Sequence, residues 1–208
     1  ESYKNGECPS QPVYTKLDDS SIVRPLTFRE NLQARVEDYN TLNNADGSAK
    51  TDDERLRLFN KWLDSCTGIA YKAGTTKFKI VPQSLDLIEI PFSFNKTFLP
   101  ADYDSIDGIE LDSSKSKYNT VLTLSKVKSH PAWLAAAEED AALLSEYAGI
   151  VFSLLNEKYK RTEGMGFYAR SNTETDELRA LFVYNLNSNS YASGDNNLNS
   201  NGSFLLVA

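Results

Sequence analysis

The sequence feature that most constrains the fold is a run of apolar residues at helical spacing in the second half of the chain. Its members lie three and four residues apart and are Leu134, Ala137, Ala141, Leu144, Ala148, Val151 and Leu155. Pro131 suits the first turn of a helix, so this spacing predicts one long helix from Pro131 to about Lys160. Further apolar residues flank the run, which is typical of a helix at the centre of a fold. The alternative is a coiled-coil interface, but the pattern extends over only about three heptads.

Two capping signals in the first third of the chain predict an N-terminal helical hairpin. Thr27 with Glu30 fits a capping box, in which two side chains bond the free amides at a helix start, and Thr51 with Glu54 fits another. Apolar residues at helical spacing follow both boxes. The stripe of the second predicted helix consists of Leu56, Phe59, Leu63, Cys66 and Ala70. The polar loop between the two segments is short, as between antiparallel helices.

The other apolar segments have the alternation or the β-branched content of strands. The predicted strands are 76–81, 85–92, 118–127, 165–170, 178–186 and 204–208. Because helices and strands are grouped and do not alternate, we predict an α+β fold. It would combine the N-terminal helical hairpin, one long central helix and an antiparallel sheet from the mid-chain and C-terminal strands.

The first residues of the chain differ from the rest in their proline content and in their lack of periodicity. Residues 1–26 contain prolines at Pro9, Pro12 and Pro25 and show no periodicity, which predicts an extended N-terminal arm. Residues 27–208 are then expected to form a single domain, since one domain commonly has about 100–200 residues. The start at Glu1 without a Met is typical of a processed mature chain, and a trimmed chain would look the same.

Charge limits the classes of partner that this chain can bind. The formal net charge is −7, and an acidic surface repels phosphate backbones and anionic lipid headgroups. We therefore predict no nucleic-acid partner. The nearest basic group, Lys158, Lys160 and Arg161, lies where the long helix is expected to end, and cations there offset the helix dipole. No apolar run approaches the roughly 20 residues that span a bilayer, so no transmembrane segment is predicted.

The chain has two cysteines, Cys8 and Cys66, and we predict a disulfide between them. An even cysteine count, the missing Met and two glycosylation-type sequons, which begin at Asn95 and Asn201, favour an oxidising, extracytoplasmic location. The alternative is a buried thiol at Cys66 and an incidental Cys8.

Catalytic motifs are missing from the sequence. It has no nucleophile elbow, phosphate loop, dinucleotide fingerprint or metalloprotease helix motif. The single histidine, His130, precedes Pro131, where it would serve as a general base for Ser129 or Cys66, or else as a helix-entry residue. Among 29 acidic residues no carboxylate pair stands out, although a hydrolase with paired carboxylates or calcium remains the enzymatic alternative.

Calcium is the one ion that a pattern in the sequence favours, and no other cofactor is predicted. The segment from Leu42 to Asp53 resembles an EF-hand loop at four positions, which are Asn44, Asp46, Gly47 and Asp53, but its first ligand position holds Leu42. The predicted metal ligands are therefore Asn44, Asp46 and Asp53. A polar turn with a capping box explains the same residues without metal. The acidic run from Asp102 to Asp112 is a second candidate of equal weight.

Two features point to binding or to assembly. Tyr184, Tyr191 and the nearby asparagines have the composition of a sugar-binding surface, with rings for stacking and amides for hydrogen bonds. The apolar C-terminal segment Phe204, Leu205, Leu206 and Val207 would act as an assembly strand if it completed the sheet of a neighbouring subunit, or it would complete its own sheet.

We therefore predict a secreted or cell-surface protein that is not an enzyme and acts by binding or by assembly into a larger structure. Its partners would be other protein subunits or surface glycans. The first alternative is a carbohydrate- or ligand-binding module, and the second is the hydrolase.

Overall fold

The computed structural model describes residues 24–88, 97–187, 189–195 and 203–207 of the 208-residue chain. Within these ranges the helices are α1 Phe28–Asn40, α2 Asp52–Arg55, α3 Leu85–Ile88, α4 Leu124–Lys128, α5 Pro131–Ala136 and α6 Ala141–Tyr159. The first six strands are β1 Arg24–Pro25, β2 Leu63–Tyr71, β3 Lys77–Val81, β4 Leu99–Pro100, β5 Ile109–Asp112 and β6 Val121–Thr123. The remaining strands are β7 Glu163–Tyr168, β8 Glu177–Val183, β9 Ser190–Ser193, β10 Ser203–Phe204 and β11 Leu206–Val207.

The strands form one curled mixed sheet and one small ribbon. The order in the large sheet is β5-β3-β2-β8-β9-β7-β6, with β4 beside β8 and β10 beside β2. The pairs β7–β9 and β2–β10 are parallel, whereas the other pairs of this sheet are antiparallel. In the ribbon, β1 and β11 pair in antiparallel fashion and bring the two ends of the described chain together.

The main core lies between one face of the sheet and the helices α1, α5 and α6. Its fully buried aromatic residues are Phe28, Phe59, Phe78, Trp133, Tyr147 and Phe167. Helix α1 begins at the predicted capping box, in which the Thr27 hydroxyl accepts from the Glu30 amide and the Glu30 carboxylate accepts from the Thr27 amide. The prediction of this first helix is confirmed.

The rest of the predicted helical hairpin is wrong. The second capping box exists, but α2 ends after four residues at Arg55, and the chain then turns into strand β2. All but one residue of β2 are buried, because the strand lies inside the sheet with both faces covered. In a strand buried on both faces, apolar residues need not alternate, so Leu63, Cys66 and Ala70 of β2 also satisfy a helical spacing. Periodicity alone cannot separate the two structures.

The prediction of a single long central helix is also wrong, because the helix is interrupted between α5 and α6. Glu138 and Glu139 have left-handed backbone angles, with φ of 54° and 61°. Asp140 then caps α6, and its carboxylate accepts from the Leu143 amide at 3.0 Å. The apolar spacing continues on both sides of the break and so hides it. The two exposed glutamates face water, where a change of direction buries no polar group.

The predicted antiparallel sheet is wrong as well, since two of its strand pairs are parallel. The predicted strands at 76–81, 165–170 and 178–186 are confirmed by β3, β7 and β8. Residues 85–88 instead form helix α3, and 89–92 lie outside the described residues. In 118–127 only Val121–Thr123 is strand, and helix α4 follows it directly. The fold is therefore a curled mixed sheet with helices around it, and the α+β arrangement predicted from the grouping of elements does not hold.

Candidate ligand-binding site

The last long strands place aromatic residues on the sheet face that points away from the main core. In β8, Leu181 and Val183 belong to that core, whereas Phe182 between them does not. Leu63 pairs with Val183, so Trp62 at the start of β2 lies opposite Tyr184. Continuing the register of β8 and β9 places Tyr184 opposite Tyr191, and the Tyr184 amide donates to the Tyr191 carbonyl at 2.9 Å.

Four of these rings form a continuous series, which we call the aromatic row: Trp62, Tyr184, Tyr191 and Tyr168. The ring centroids of Trp62 and Tyr184 are 4.9 Å apart, with an interplanar angle of 20°. Those of Tyr184 and Tyr191 are 4.0 Å apart, and those of Tyr191 and Tyr168 are 4.7 Å apart. Phe182 supports the row, with its centroid 5.0 Å from that of Trp62 and 5.1 Å from that of Tyr184.

The aromatic row is partly open to solvent. All four of its members are half-buried, whereas Phe182 beneath them is 1% exposed. Burial, and after it the neighbouring Tyr184 hydroxyl, raises the pKa of Tyr191 above its ordinary value, so this phenol stays neutral at physiological pH. The row is therefore a neutral aromatic surface on a rigid sheet.

The indole of Trp62 has an unused hydrogen-bond donor. Its Nε1 atom is buried and has no partner in the described part of the chain. A buried N–H group without a partner costs about 1–3 kcal/mol, and most buried polar groups are satisfied by protein or by ordered water. Because the nitrogen is enclosed, a ligand on the surface does not reach it in this conformation of the ring.

Asp64 adds a carboxyl group to the same face. It pairs with Phe182 across β2 and β8, and residues directly opposite in an antiparallel pair project to the same side with Cβ atoms about 5 Å apart. Among the described residues, no hydrogen bond or ion pair engages its carboxyl group, although its backbone carbonyl accepts from Asn31 at 3.1 Å. Burial raises the pKa of Asp64 to about 7, so this half-buried residue changes charge near neutral pH.

A buried arginine holds the backbone beneath the row. Arg35 on α1 is fully buried, and its guanidinium donates to the carbonyl of Lys61 at 2.7 Å and to the carbonyl of Tyr184 at 3.0 Å. It also donates to the Tyr147 hydroxyl at 3.0 Å. The planar fork of arginine thus fixes the strand ends that carry Trp62 and Tyr184.

Gly166 keeps space open at the far end of the row. It pairs with Tyr191 across β7 and β9. A Cβ atom at this position would lie 2.5 Å from the Thr120 carbonyl oxygen and 3.0 Å from Cε2 of Tyr168. Only glycine therefore allows both the close approach of β6 and the present position of the Tyr168 ring.

The structure brings Tyr184 and Tyr191 together, as the sugar-binding alternative requires. Asn185, Asn187 and Asn189 lie in the turn between their strands, whereas the asparagines at 196–201 lie outside the described residues. Sequence reasoning did not include Trp62, Asp64 and Tyr168 in a site. Trp62 and Asp64 fall within the second predicted helix, which hid their place beside β8. For Tyr168, the alternation of side chains in Met165–Tyr168 was a signal that could have placed it on the same face as Tyr191.

The predicted calcium ligands occupy ordinary turn and cap positions. Asn44 and Asp46 lie in a tight turn, where the Asp46 carboxylate accepts from the amide and hydroxyl of Ser48, and Asp53 is exposed in the first turn of α2. In the described ranges no group of three or more His, Cys, Asp or Glu side chains could hold a metal ion. Calcium binding at Asn44, Asp46 and Asp53 stays a prediction.

The second acidic run is used in structural contacts. Asp104 forms an ion pair with Lys72 at 2.7 Å, and Glu110 forms one with Lys77 at 2.9 Å. Asp112 accepts from the hydroxyl of Thr76 at 2.7 Å. These carboxylates already have partners, so the run offers no ready set of calcium ligands.

His130 is part of the core. It is 5% exposed, its ring stacks on Phe167, and its Nε2 atom lies 3.1 Å from the Lys117 carbonyl oxygen. Burial lowers the pKa of His130, which keeps the ring neutral. The geometry fits the helix-entry alternative rather than a general base.

Cys66 is a buried free thiol, and its Sγ donates to the Pro25 carbonyl at 3.2 Å. Burial raises the pKa of this thiol. Cys8 lies outside the described residues, so the predicted disulfide gains no support and stays a prediction. The same holds for the extended arm, of which only 24–26 are described.

The C-terminal segment pairs within its own chain. Phe204 in β10 is the partner of Asp64 in β2, and Val207 in β11 is the partner of Arg24 in β1. This arrangement corresponds to the intramolecular alternative for Phe204, Leu205, Leu206 and Val207. No observation bears on their role as an assembly strand between subunits.

A polar cleft near the start of α1 is a second concave surface, lined by Arg24, Arg29, Glu30 and Glu138 among others. Arg24 is paired with Glu30 at 2.7 Å, and Arg29 is paired with Asp140 at 2.7 Å. Because both cations are neutralised within the chain, neither arginine offers an unpaired charge with which the cleft could recognise an anion.

Comparison with known proteins gives a fold but no family. No family model matches the chain, and no curated protein matches it. A solved structure described as "Accommodation of massive sequence variation in Nanoarchaeota by the C-type lectin fold" is similar, with a TM-score of 0.56 and 14% identity. The match covers 88% of this chain and 85% of the other.

The chain has a C-type lectin-like fold. This finding replaces the predicted helical hairpin, central helix and antiparallel sheet. At this identity the similarity extends to the fold alone. Within the described parts of the chain, no helix is long and apolar enough to cross a membrane.

Proposed function

We propose that this protein is a non-enzymatic carbohydrate-binding module whose aromatic row stacks on the faces of sugar rings. The single observation that supports it most directly is the continuous series of half-exposed rings from Trp62 through Tyr184 and Tyr191 to Tyr168. Flat aromatic faces stack on the apolar faces of sugars, while the tyrosine hydroxyls provide hydrogen bonds at the ring edges.

The rigidity of the row supports binding over a packing role. The rings lie on or next to four neighbouring strands, β2, β8, β9 and β7. Arg35 holds the backbone at two of these places, the carbonyls of Lys61 and Tyr184. A surface that is already ordered loses little side-chain entropy when a ligand binds. The C-type lectin-like fold is compatible with this proposal, but function has to be argued from the site and not from the fold.

The hydrolase alternative has less support. Paired-carboxylate hydrolysis needs two carboxyl groups that flank the substrate, one of them with a raised pKa. Among the described residues, Asp64 is the one carboxyl group whose pKa is raised by burial, and none of the described contacts joins it to a second carboxylate. Assembly into a larger structure and an extracytoplasmic location remain part of the wider hypothesis of a secreted binding protein.

Tryptophan fluorescence tests the proposal directly, because Trp62 is half-exposed whereas Trp133 is fully buried. We expect neutral oligosaccharides of glucose or N-acetylglucosamine to change the emission of Trp62 in a saturable way. In Trp62→Phe the fluorescence change should disappear, while calorimetry should still detect weakened binding.

Matched tyrosine variants then locate the site. Tyr191→Ala should weaken binding about tenfold, which is the loss of about 1.4 kcal/mol expected for one stacked ring. Tyr159→Ala removes a half-buried ring at the end of α6, outside the row, and should bind like the wild type. Equal losses in both variants, or no oligosaccharide binding by the wild type, would contradict the proposal.

A further inference from the structure

The aromatic row borders a carboxyl group that has no partner in the described part of the chain. The order across the sheet on this face is Asp64 on β2, Phe182 on β8, Ser193 on β9 and Tyr168 on β7, and β10 pairs with β2 on the other side of Asp64. Trp62, two residues before Asp64, stacks on Tyr184 and contacts the tilted ring of Phe182. Asp64 therefore lies at one end of the row, beside its largest ring.

None of the ion pairs among the described residues includes Asp64. The titratable groups on this face of β7, β8 and β9 are the phenols of Tyr168, Tyr184 and Tyr191, and the exposed Asp195 follows β9. The guanidinium of Arg35 contacts the core side of the same strands, and its two terminal nitrogens donate to carbonyl and hydroxyl acceptors there. An ionised Asp64 thus lacks a counter-ion in the described structure.

The aromatic row and the Asp64 carboxylate both favour a ligand with a positive charge. Aromatic faces carry partial negative charge and attract ammonium groups, most strongly when water is excluded. A half-buried carboxylate without a partner gains from a charge-assisted hydrogen bond. An anionic ligand would be repelled by Asp64, and a neutral sugar would offer its carboxylate hydroxyl donors but no compensating charge.

We propose that the site is selective for sugars that carry a free amine, with Asp64 as the residue that receives the ammonium group while the sugar ring stacks on the aromatic row. This inference rests on the proposed carbohydrate-binding function and specifies its ligand class. Asp64 is then a specificity-determining residue, and the rings of the row provide affinity that does not depend on charge.

Three probes of equal length separate the two proposals: an oligomer of glucosamine, the same oligomer fully N-acetylated, and a cello-oligosaccharide. Calorimetry at pH 7 with the full chain should give an affinity for the glucosamine oligomer at least tenfold higher than for the other two. In Asp64→Asn this preference should vanish, while binding of the neutral oligomers is retained. Asp107→Asn removes an exposed carboxylate elsewhere and should keep the preference.

The outcomes distinguish failure of the inference from failure of the proposed function. Similar affinities for all three oligomers, or a preference that survives Asp64→Asn, would overturn selectivity for amines and leave carbohydrate binding intact. Binding of none of the three would overturn both. Binding of a lysine tripeptide, without any sugar, would identify a cationic peptide as the ligand and would also overturn both. Circular dichroism of Asp64→Asn confirms that any loss is not a loss of folding.

Discussion

Arg35 donates a hydrogen bond of 3.0 Å to the backbone carbonyl of Tyr184, and this contact links the first helix to the centre of the aromatic row. The same guanidinium binds the Lys61 carbonyl, the residue before Trp62. Because these carbonyls belong to Tyr184 itself and to the neighbour of Trp62, one buried side chain positions the backbone of two stacked rings that are far apart in sequence. The stability of the fold and the shape of the candidate site are therefore coupled through Arg35.

Removal of Arg35 should destabilise the protein strongly. Arg35→Ala leaves the acceptors on Lys61, Tyr184 and Tyr147 without a donor and creates a cavity beside Phe59, over which the guanidinium lies at 5.6 Å. We expect the free energy of unfolding to fall by about 3 kcal/mol or more. Urea denaturation measures this loss. The control is Arg57→Ala, at a side chain that is 66% exposed, which should change the free energy of unfolding by less than about 0.5 kcal/mol. A loss below about 1 kcal/mol in Arg35→Ala would refute the role of Arg35.

Asp64 should make the protein less stable as pH rises. Its pKa is about 7 in the folded chain against an ordinary value of 3.8. Below pH 3.8 Asp64 is protonated in both the folded and the unfolded chain. Between pH 3.8 and pH 7 the unfolded chain loses this proton first, so the free energy of unfolding falls as pH rises. Above pH 7 the free energy of unfolding falls no further on account of Asp64. Asp64→Asn should match the wild type near pH 4 and exceed it by about 2–4 kcal/mol near pH 8, at 1.36 kcal/mol per pKa unit with allowance for partial exposure. Equal stability of the two proteins at both pH values would show that Asp64 is not desolvated.

His130 should have the opposite pH dependence. Burial lowers its pKa from 6.5, so the unfolded chain takes up a proton before the folded chain as pH falls. The contribution of neutral His130 to stability is present above pH 6.5 and is lost as pH decreases toward its folded pKa. The stability of the wild type relative to His130→Gln should therefore decrease between pH 7.5 and pH 5. The effect of Asp64 is common to both proteins and cancels in this difference, so a constant difference would contradict a buried neutral imidazole.

The break between α5 and α6 can be tested with glycine. Glu139 has a φ of 61°, which costs a residue with a side chain about 1–2 kcal/mol but is open to glycine. Glu139→Gly should leave the free energy of unfolding unchanged or raise it by about 0.5 kcal/mol. Glu146→Gly, at an exposed position within α6, should lower it by about 1 kcal/mol. In a continuous helix from Pro131 to Lys160, both substitutions would be destabilising.

Local signals in the sequence determined several elements by themselves. The capping box of Thr27 and Glu30 and the apolar face after it predicted α1, because a helix start needs its free amides satisfied wherever the helix lies. Alternation predicted β3, β7 and β8 for a similar reason, since successive side chains of a strand point to opposite faces. Tyr184 and Tyr191 could be named from composition alone.

Tertiary structure decided the remainder. The stripe from Leu56 to Ala70 fits a helix as well as a strand buried on both faces, and only the position of β2 inside the sheet selects the strand. The break at Glu138 and Glu139 is set by backbone angles that an apolar repeat does not record. The site depends on register: Asp64 reaches Phe182, and Trp62 reaches Tyr184, only because β2 pairs with β8. Pairing between strands far apart in sequence is a property of the folded sheet. The composition could therefore suggest sugar binding, but it could not predict that the aromatic row lies beside the Asp64 carboxyl group.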